Sequence, residues 1–177
     1  MIIVDGFDNT GKTTLVKRLA EEFELTYLHS PSEYKNRFDL MVNWAITELG
    51  SKKRAIYDRF SPITDQVYGP VLRGGTPYLT DKRAMIVVEL LKNTPHLIIY
   101  TRPSRQRIFQ FGEREQMRGV IEHAEKLLNR YDQLMMELHQ KGFNIIRYNY
   151  EDNETGGPHS LYYVAKHVEE FIKQHLS

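Results

Sequence analysis

The chain has 177 residues, with 24 basic against 23 acidic side chains and no cysteine, so it is long enough to bury a sizeable core and excludes a disulfide frame or a cysteine-bound zinc. A net charge of +1 leaves no global basic surface for nucleic acid. No stretch approaches the ~20 apolar residues of a membrane span, and without a leader pattern at the N-terminus the expected location is cytoplasmic.

Residues 1–4 (MIIV) form a short apolar run that stops at a glycine turn, which suits a buried parallel strand. Residues 12–23 follow, with Leu15, Leu19 and Phe23 at helical spacing. Residues 26–29 read as a second strand, and a helix is expected from Pro31 and Ser32 to Leu49. A third strand covers residues 55–57 and ends at Asp58 and Arg59. Helices are expected over 63–72 and 81–92, then a fourth strand over 96–100 (HLIIY). Residues 120–140 read as a long amphipathic helix with Leu127, Leu128, Tyr131, Leu134 and Leu138 on its apolar side. Residues 143–147 make a fifth strand, 151–158 (EDNETGGP) a surface loop, and 161–176 a closing helix.

Strands alternating with helices, over links too long for hairpins, predict an α/β fold: a five-stranded parallel sheet with helices on both faces, in one domain over residues 1–177. Ligands of such folds sit at the carboxyl ends of the strands. Gly6, Asp58 and the segment after Tyr100 all fall there.

"GFDNTGKT", Gly6 to Thr13, satisfies G-x-x-x-x-G-K-[ST] at every fixed position, after one expected strand and before an expected helix. This is the P-loop pattern. Its glycines let backbone N–H groups turn around an anion, and the helix N-terminus adds its dipole. Gly6, Asn9, Thr10, Gly11, Lys12, Thr13 and Thr14 are the expected nucleotide-binding residues, with Lys12 on the β/γ-phosphates and Thr13 on Mg²⁺. ATP and Mg²⁺ are the expected donor and cofactor.

A switch GTPase would carry an N-K-x-D type signal, and a motor ATPase would be longer and end an acidic strand in a carboxylate run; neither is visible. "IYDRF", Ile56 to Phe60, is an apolar strand ending in an Asp-Arg pair. There Asp58 could hold Mg²⁺ through water or orient an acceptor oxygen, while Arg59 could grip an acceptor phosphate. Arg102, Arg105, Arg107, Arg114 and Arg118 crowd a segment containing Gly112 and Gly119. Such a segment, about 102–119, suits a mobile lid that brings cations over a transferring phosphoryl. The competing reading is a solvated face on which Glu113 and Glu115 cancel nearby arginines.

With these residues together, the chain resembles the thymidylate kinase family of P-loop nucleoside monophosphate kinases along nearly its whole length. "VDGFDNTGKTT" is similar to that family's P-loop, "YDRF" to its D-R-[YH] element, and "PHLIIYTRP" to its fourth strand. "GEREQ" followed by "YDQL" is similar to its lid. The resemblance implies that Asp8 holds the acceptor's 3′-hydroxyl and Arg59 its phosphate. It implies that Asp58 serves the metal and acceptor side. Asn9, standing where some relatives carry a catalytic arginine, implies the variant in which lid arginines such as Arg114 stabilise the transferring group. Two departures stand out. "LHSPSEY" replaces an arginine-bearing segment after the second strand, and Arg102 replaces a strand-four aspartate.

Tyr34, Phe38, Trp44, Phe60 and Tyr68 are the aromatics placed by sequence order to stack on an acceptor base, with Phe38 and Tyr68 taken as acceptor-binding. His29, His139 and His175 read as structural or surface residues, and Met135 and Met136 as core or gap-filling. The expected catalytic set is Lys12, Asp58, Arg59 and Arg114. The expected activity is ATP-dependent phosphoryl transfer to a deoxynucleoside monophosphate, dTMP or a modified pyrimidine. The rivals are transfer to a nucleoside or to a hydroxymethylated base in DNA, which Lys52, Lys53, Arg54, Arg73, Lys82 and Arg83 leave open, and a nucleotide-binding switch without transfer. No membrane partner is expected, and a homodimer stays open.

Overall fold

Ile2–Asp5 is buried at every position and forms β1, the central strand of a five-stranded sheet. The computed structural model describes residues 1–31, 37–51, 53–110 and 118–176. Around β1 lie β2 (Thr26–His29), β3 (Ala55–Asp58), β4 (Leu97–Thr101) and β5 (Ile145–Tyr148), in the order β2-β3-β1-β4-β5. Every pairing is parallel.

Alternation along the strands divides the core into two layers. Ile2, Val4, Ile56 and Ile99 pack against α1 (Lys12–Glu22) and α8 (Leu161–His175). Ile3, Tyr57, Ile98 and Tyr100 pack against α2 (Phe38–Gly50), α3 (Ser61–Arg73), α4 (Pro77–Thr80), α5 (Lys82–Asn93) and α7 (Ala124–Gln140). The short α6 (Arg105–Ile108) follows β4, and a 3-10 turn at Tyr150–Asn153 follows β5. The five parallel strands with helices on both faces match the expected architecture. Among the described residues no helix is long and apolar enough to cross a membrane.

Boundaries differ from expectation where side chains override pattern. α2 begins at Phe38, not near Pro31, because Arg37 holds a non-helical backbone (φ −125°, ψ 78°); residues 32–36 lie outside the described residues. α7 begins at Ala124 because residues 118–123 turn around Gly119 (φ 85°), although Val120 is fully buried. Residues 151–158 are more ordered than a bare loop: Asp152 accepts from Asn149 Nδ2 (2.9 Å) and His159 N (3.2 Å). Met135 is core, but Met136 is 57% exposed on α7 and fills no gap.

Candidate active site

β1 delivers the chain into the phosphate loop at Gly6, whose φ of 148° few side-chain-bearing residues adopt. A Cβ there would also lie 2.6 Å from the Thr101 carbonyl oxygen, so Gly6 shapes the entry by letting β4 pass close. Thr10 Oγ1 points inward, donating to the Phe7 carbonyl (2.8 Å) and meeting Thr101 Oγ1 (2.6 Å), so its hydroxyl is engaged within the protein. Asn9 (φ 66°) and Gly11 (φ 80°) complete the turn. The first turn of α1 has no side-chain cap, which leaves its N–H groups for an anion.

A cavity of about 420 Å³ lies over this turn, lined by residues 8–14 with Tyr27, His29, Asp58 and Arg59. Lys12 is buried beneath it, with Nζ donating to the Phe7 carbonyl (2.5 Å). Burial first, then the charge of Arg59, lowers its pKa to about 7. Thr13 Oγ1 donates to Asp58 Oδ2 (2.6 Å), and Tyr27 OH donates to the same oxygen (3.2 Å). β3 and α1 thus present a hydroxyl and a carboxylate side by side. Among the described residues no cluster of three or more His, Asp or Glu side chains could hold a metal. Mg²⁺ needs none, since it takes one or two protein oxygens plus substrate phosphates and water, and Thr13 with Asp58 fits that pattern.

Arg59 follows β3 in a left-handed conformation (φ 68°), with its N–H on the Val4 carbonyl (2.9 Å). Its guanidinium pairs with Asp8 and lies over the Tyr68 ring, 5.4 Å from the centroid. Tyr68 OH donates to the other Asp8 oxygen (2.9 Å). Asp8, Arg59 and Tyr68 therefore form one unit across the P-loop, β3 and α3. Tyr68 is only 2% exposed, so it supports this unit and offers no face to a base. Phe38 is not brought to the cavity; it meets Tyr78 edge-on (5.8 Å) and underlies Arg83 (6.0 Å). Trp44 and Phe60 pack on each other (5.5 Å) in the core layer.

Three of the arginines expected in a lid are tied to carboxylates other than the ones sequence suggested. Arg102 makes a two-pronged bond to Asp132 of α7 (2.8 and 2.9 Å), Arg105 bonds Glu125 (2.5 Å) and Asn129, and Arg107 lies near Glu151 (3.7 Å). Asn9 Nδ2 donates to the Gln110 carbonyl (2.8 Å), joining the P-loop to the segment after α6. Gly112, Glu113, Arg114 and Glu115, like Tyr34 and Lys52, lie outside the described residues.

Three contributors escaped the sequence reading. Asp5 is wholly buried and accepts from Gly6 N (2.7 Å), Thr64 Oγ1 (2.7 Å) and Tyr131 OH (2.9 Å); burial raises its pKa. It ties the P-loop entry to α3 and α7. Tyr27 and His29 line the cavity from the edge strand, His29 in register with Asp58, so His29 is a cavity residue and not merely a surface one. Period-two alternation with Asp58 as the reference was the one signal that could have found them.

No protein-family model matches the chain, and no curated protein matches it in sequence. Solved structures do match in shape. YorR from Bacillus subtilis, in complex with phosphorylated GDP, superposes with a TM-score of 0.72 at 18% identity, over 97% of this chain and 95% of that one. The fold is that of the P-loop nucleoside and nucleotide kinases. Deoxyadenosine kinase from M. mycoides with bound dCTP gives 0.58 at 20% identity, over 96% of this chain and 100% of that one. Thymidylate kinase from Candida albicans gives 0.52 at 14%, over 98% and 90%. Thymidylate kinase is thus one distant structural neighbour among several nucleoside and nucleotide kinases.

Proposed function

We propose that the chain is a kinase that transfers the γ-phosphoryl of ATP to a deoxynucleoside monophosphate, dTMP or a modified pyrimidine analogue. The observation that carries this reading is the shared cavity, in which the P-loop residues Lys12 and Thr13 face the Asp58–Arg59 pair. Donor and acceptor groups can meet there. A passive nucleotide switch would also use Asp58 for Mg²⁺, but it does not need Arg59 on the far side of its phosphate loop.

In this reading Lys12 and the α1 N-terminus hold the donor phosphates, and Arg59 grips the acceptor phosphate while Asp8 holds an acceptor hydroxyl. Thr13 and Asp58 would hold Mg²⁺, which when bound supplies charge neutralisation between the β- and γ-phosphates. Arg114 is the lid cation of the proposal. A DNA acceptor is disfavoured by the basic residues that once left it open. Lys53 pairs with Glu48, Arg73 with Asp65 and Arg83 with Asp39, and Arg54 bonds the Phe23 carbonyl.

One observation favours a second reading, transfer to a nucleoside hydroxyl. Arg59 is already paired with Asp8, so an acceptor phosphate has to compete with a carboxylate for it. Labelled ATP offered to dTMP, thymidine and hydroxymethylated duplex DNA separates the readings. The proposal expects label in dTMP with a shallow salt dependence. Label in thymidine alone moves the reading to a nucleoside kinase. Label in DNA alone, with activity falling about 10³-fold between ~50 and ~200 mM salt, moves it to a DNA-base kinase.

A further inference from the structure

Tyr27 and His29 line the phosphate cavity from the edge strand β2, yet neither holds a donor or acceptor group in the proposed reaction. They stand two positions apart and so share one face of the sheet, the face on which α1 packs. His29 pairs in register with Asp58, which sets the imidazole beside the carboxylate at the carboxyl edge of the strands. Thr13, in the first turn of α1, meets them through its bond to Asp58 (2.6 Å).

The ring of His29 is oriented. Its Nδ1 lies 3.0 Å from the Ser30 carbonyl oxygen. A carbonyl only accepts, so Nδ1 carries the proton and the neutral ring keeps its lone pair on Nε2. Ser30 is anchored in turn, its Oγ accepting from Ser61 N (2.9 Å) at the head of α3. Tyr27 meets the imidazole edge-on, 6.4 Å between centroids. One ring nitrogen donating to a backbone carbonyl, with the other left to a cavity, is the arrangement of histidines that ligate metals. Asp58 is prepared in the same sense. Thr13 and Tyr27 both donate to its Oδ2, which leaves Oδ1 for a cation.

We propose that His29 Nε2 is a protein ligand of the active-site cation, beside the Thr13 hydroxyl and the Asp58 carboxylate, and that the site therefore prefers a first-row transition cation over Mg²⁺. The proposal rests on the reading of Lys12 and Thr13 as a donor-phosphate site. Mg²⁺ takes oxygen ligands and dehydrates reluctantly, so an imidazole adds little to its hold. First-row transition cations accept imidazole nitrogen, and Mn²⁺, at the weak end of their series, is the stringent probe. Three protein groups leave the remaining positions to phosphate oxygens and water, which couples cation binding to donor binding.

The test binds Mn²⁺ to the intact chain together with tripolyphosphate, which supplies donor oxygens and contains no nitrogen. Pulsed EPR then reads the nuclei bonded to the metal. The expected result is a strong ¹⁴N modulation in the wild type. It should change to the ¹⁵N pattern when the protein is made with ¹⁵N-histidine, and disappear in His29→Gln. In calorimetric titrations without turnover, His29→Gln should weaken Mn²⁺ about tenfold, the order at which even a ligand's hydrogen-bond partner is felt, and leave Mg²⁺ nearly unchanged. Bound Mn²⁺ without a histidine nitrogen, a histidine nitrogen that persists in His29→Gln, or equal losses for the two cations overturns the assignment of His29 while the donor site stands. A chain that holds neither Mn²⁺ nor tripolyphosphate overturns both.

Discussion

Arg59 closes on Asp8 across the mouth of the phosphate cavity, and it does so from a left-handed backbone position (φ 68°). A side-chain-bearing residue held there costs about 1–2 kcal/mol. Such strain persists where the surroundings over-determine it, and here the Val4 carbonyl, Asp8 and Tyr68 fix Arg59 from three sides. The guanidinium is preorganised at the cost of local stability.

This relationship makes a separable prediction. Arg59→Ala and Arg59→Gly both remove the guanidinium, and both should lose phosphoryl transfer. Only glycine relieves the backbone, so Arg59→Gly should be the more stable of the two by about 1 kcal/mol in urea denaturation. Equal stabilities would remove the strain from the account.

Lys12 should report nucleotide binding through its proton. Burial and the nearby Arg59 charge lower its pKa to about 7, so at pH 8 the free protein holds it mostly neutral. A polyphosphate beside it favours the charged form. ATP binding at pH 8 should therefore take up about one proton per site, and uptake should fade as the pH drops below 7. Calorimetry in buffers of different ionisation heat measures it, and Lys12→Met should abolish it. The same shift has a stability sign. The unfolded chain binds more protons between pH 7 and the ordinary lysine value of 10.5, so this group's contribution to stability rises with pH across that window.

Two glycine substitutions separate close packing from backbone preference. Gly6→Ala meets the Thr101 backbone and should cost about 3 kcal/mol or more, combining overpacking with a disfavoured φ. Gly142 also has a positive φ (88°), but nothing lies within 4 Å of where its Cβ would stand, so Gly142→Ala should cost only about 1 kcal/mol. Thermal denaturation of the pair reads the difference.

Tyr131→Phe deletes one hydroxyl and leaves the ring stacked on Tyr100 (6.2 Å). The Asp5 oxygen it served is fully buried, so the loss should be about 1–3 kcal/mol of stability. A neutral result in denaturation would show that Asp5 does not hold α7 to the P-loop.

The P-loop was legible because its determinants are local: glycine spacing, a lysine and a hydroxyl residue between a strand and a helix. Asp58 and Arg59 were legible for the same reason, at the end of an apolar run. Asp5 was not, since its partners Thr64 and Tyr131 lie 59 and 126 residues away and only packing brings them to one carboxylate. Arg102 looked like a lid cation until α7 supplied Asp132, 30 residues on. Phe38 follows the β2–α2 link in sequence order, but its ring meets Tyr78 and does not line the cavity. Long-range pairing of charges and rings carries no periodic signal, so these assignments had to wait for the fold.

The central claim is that this cavity moves a phosphoryl group between two bound partners. The most direct measurement follows γ-labelled ATP with dTMP in the wild type and in Lys12→Ala, counting label in the acceptor and in free phosphate. The account predicts label in the acceptor for the wild type and a loss on the order of 10²-fold or more in a folded Lys12→Ala chain. Near-normal transfer by Lys12→Ala, or wild-type label appearing only as free phosphate with every acceptor offered, would contradict it.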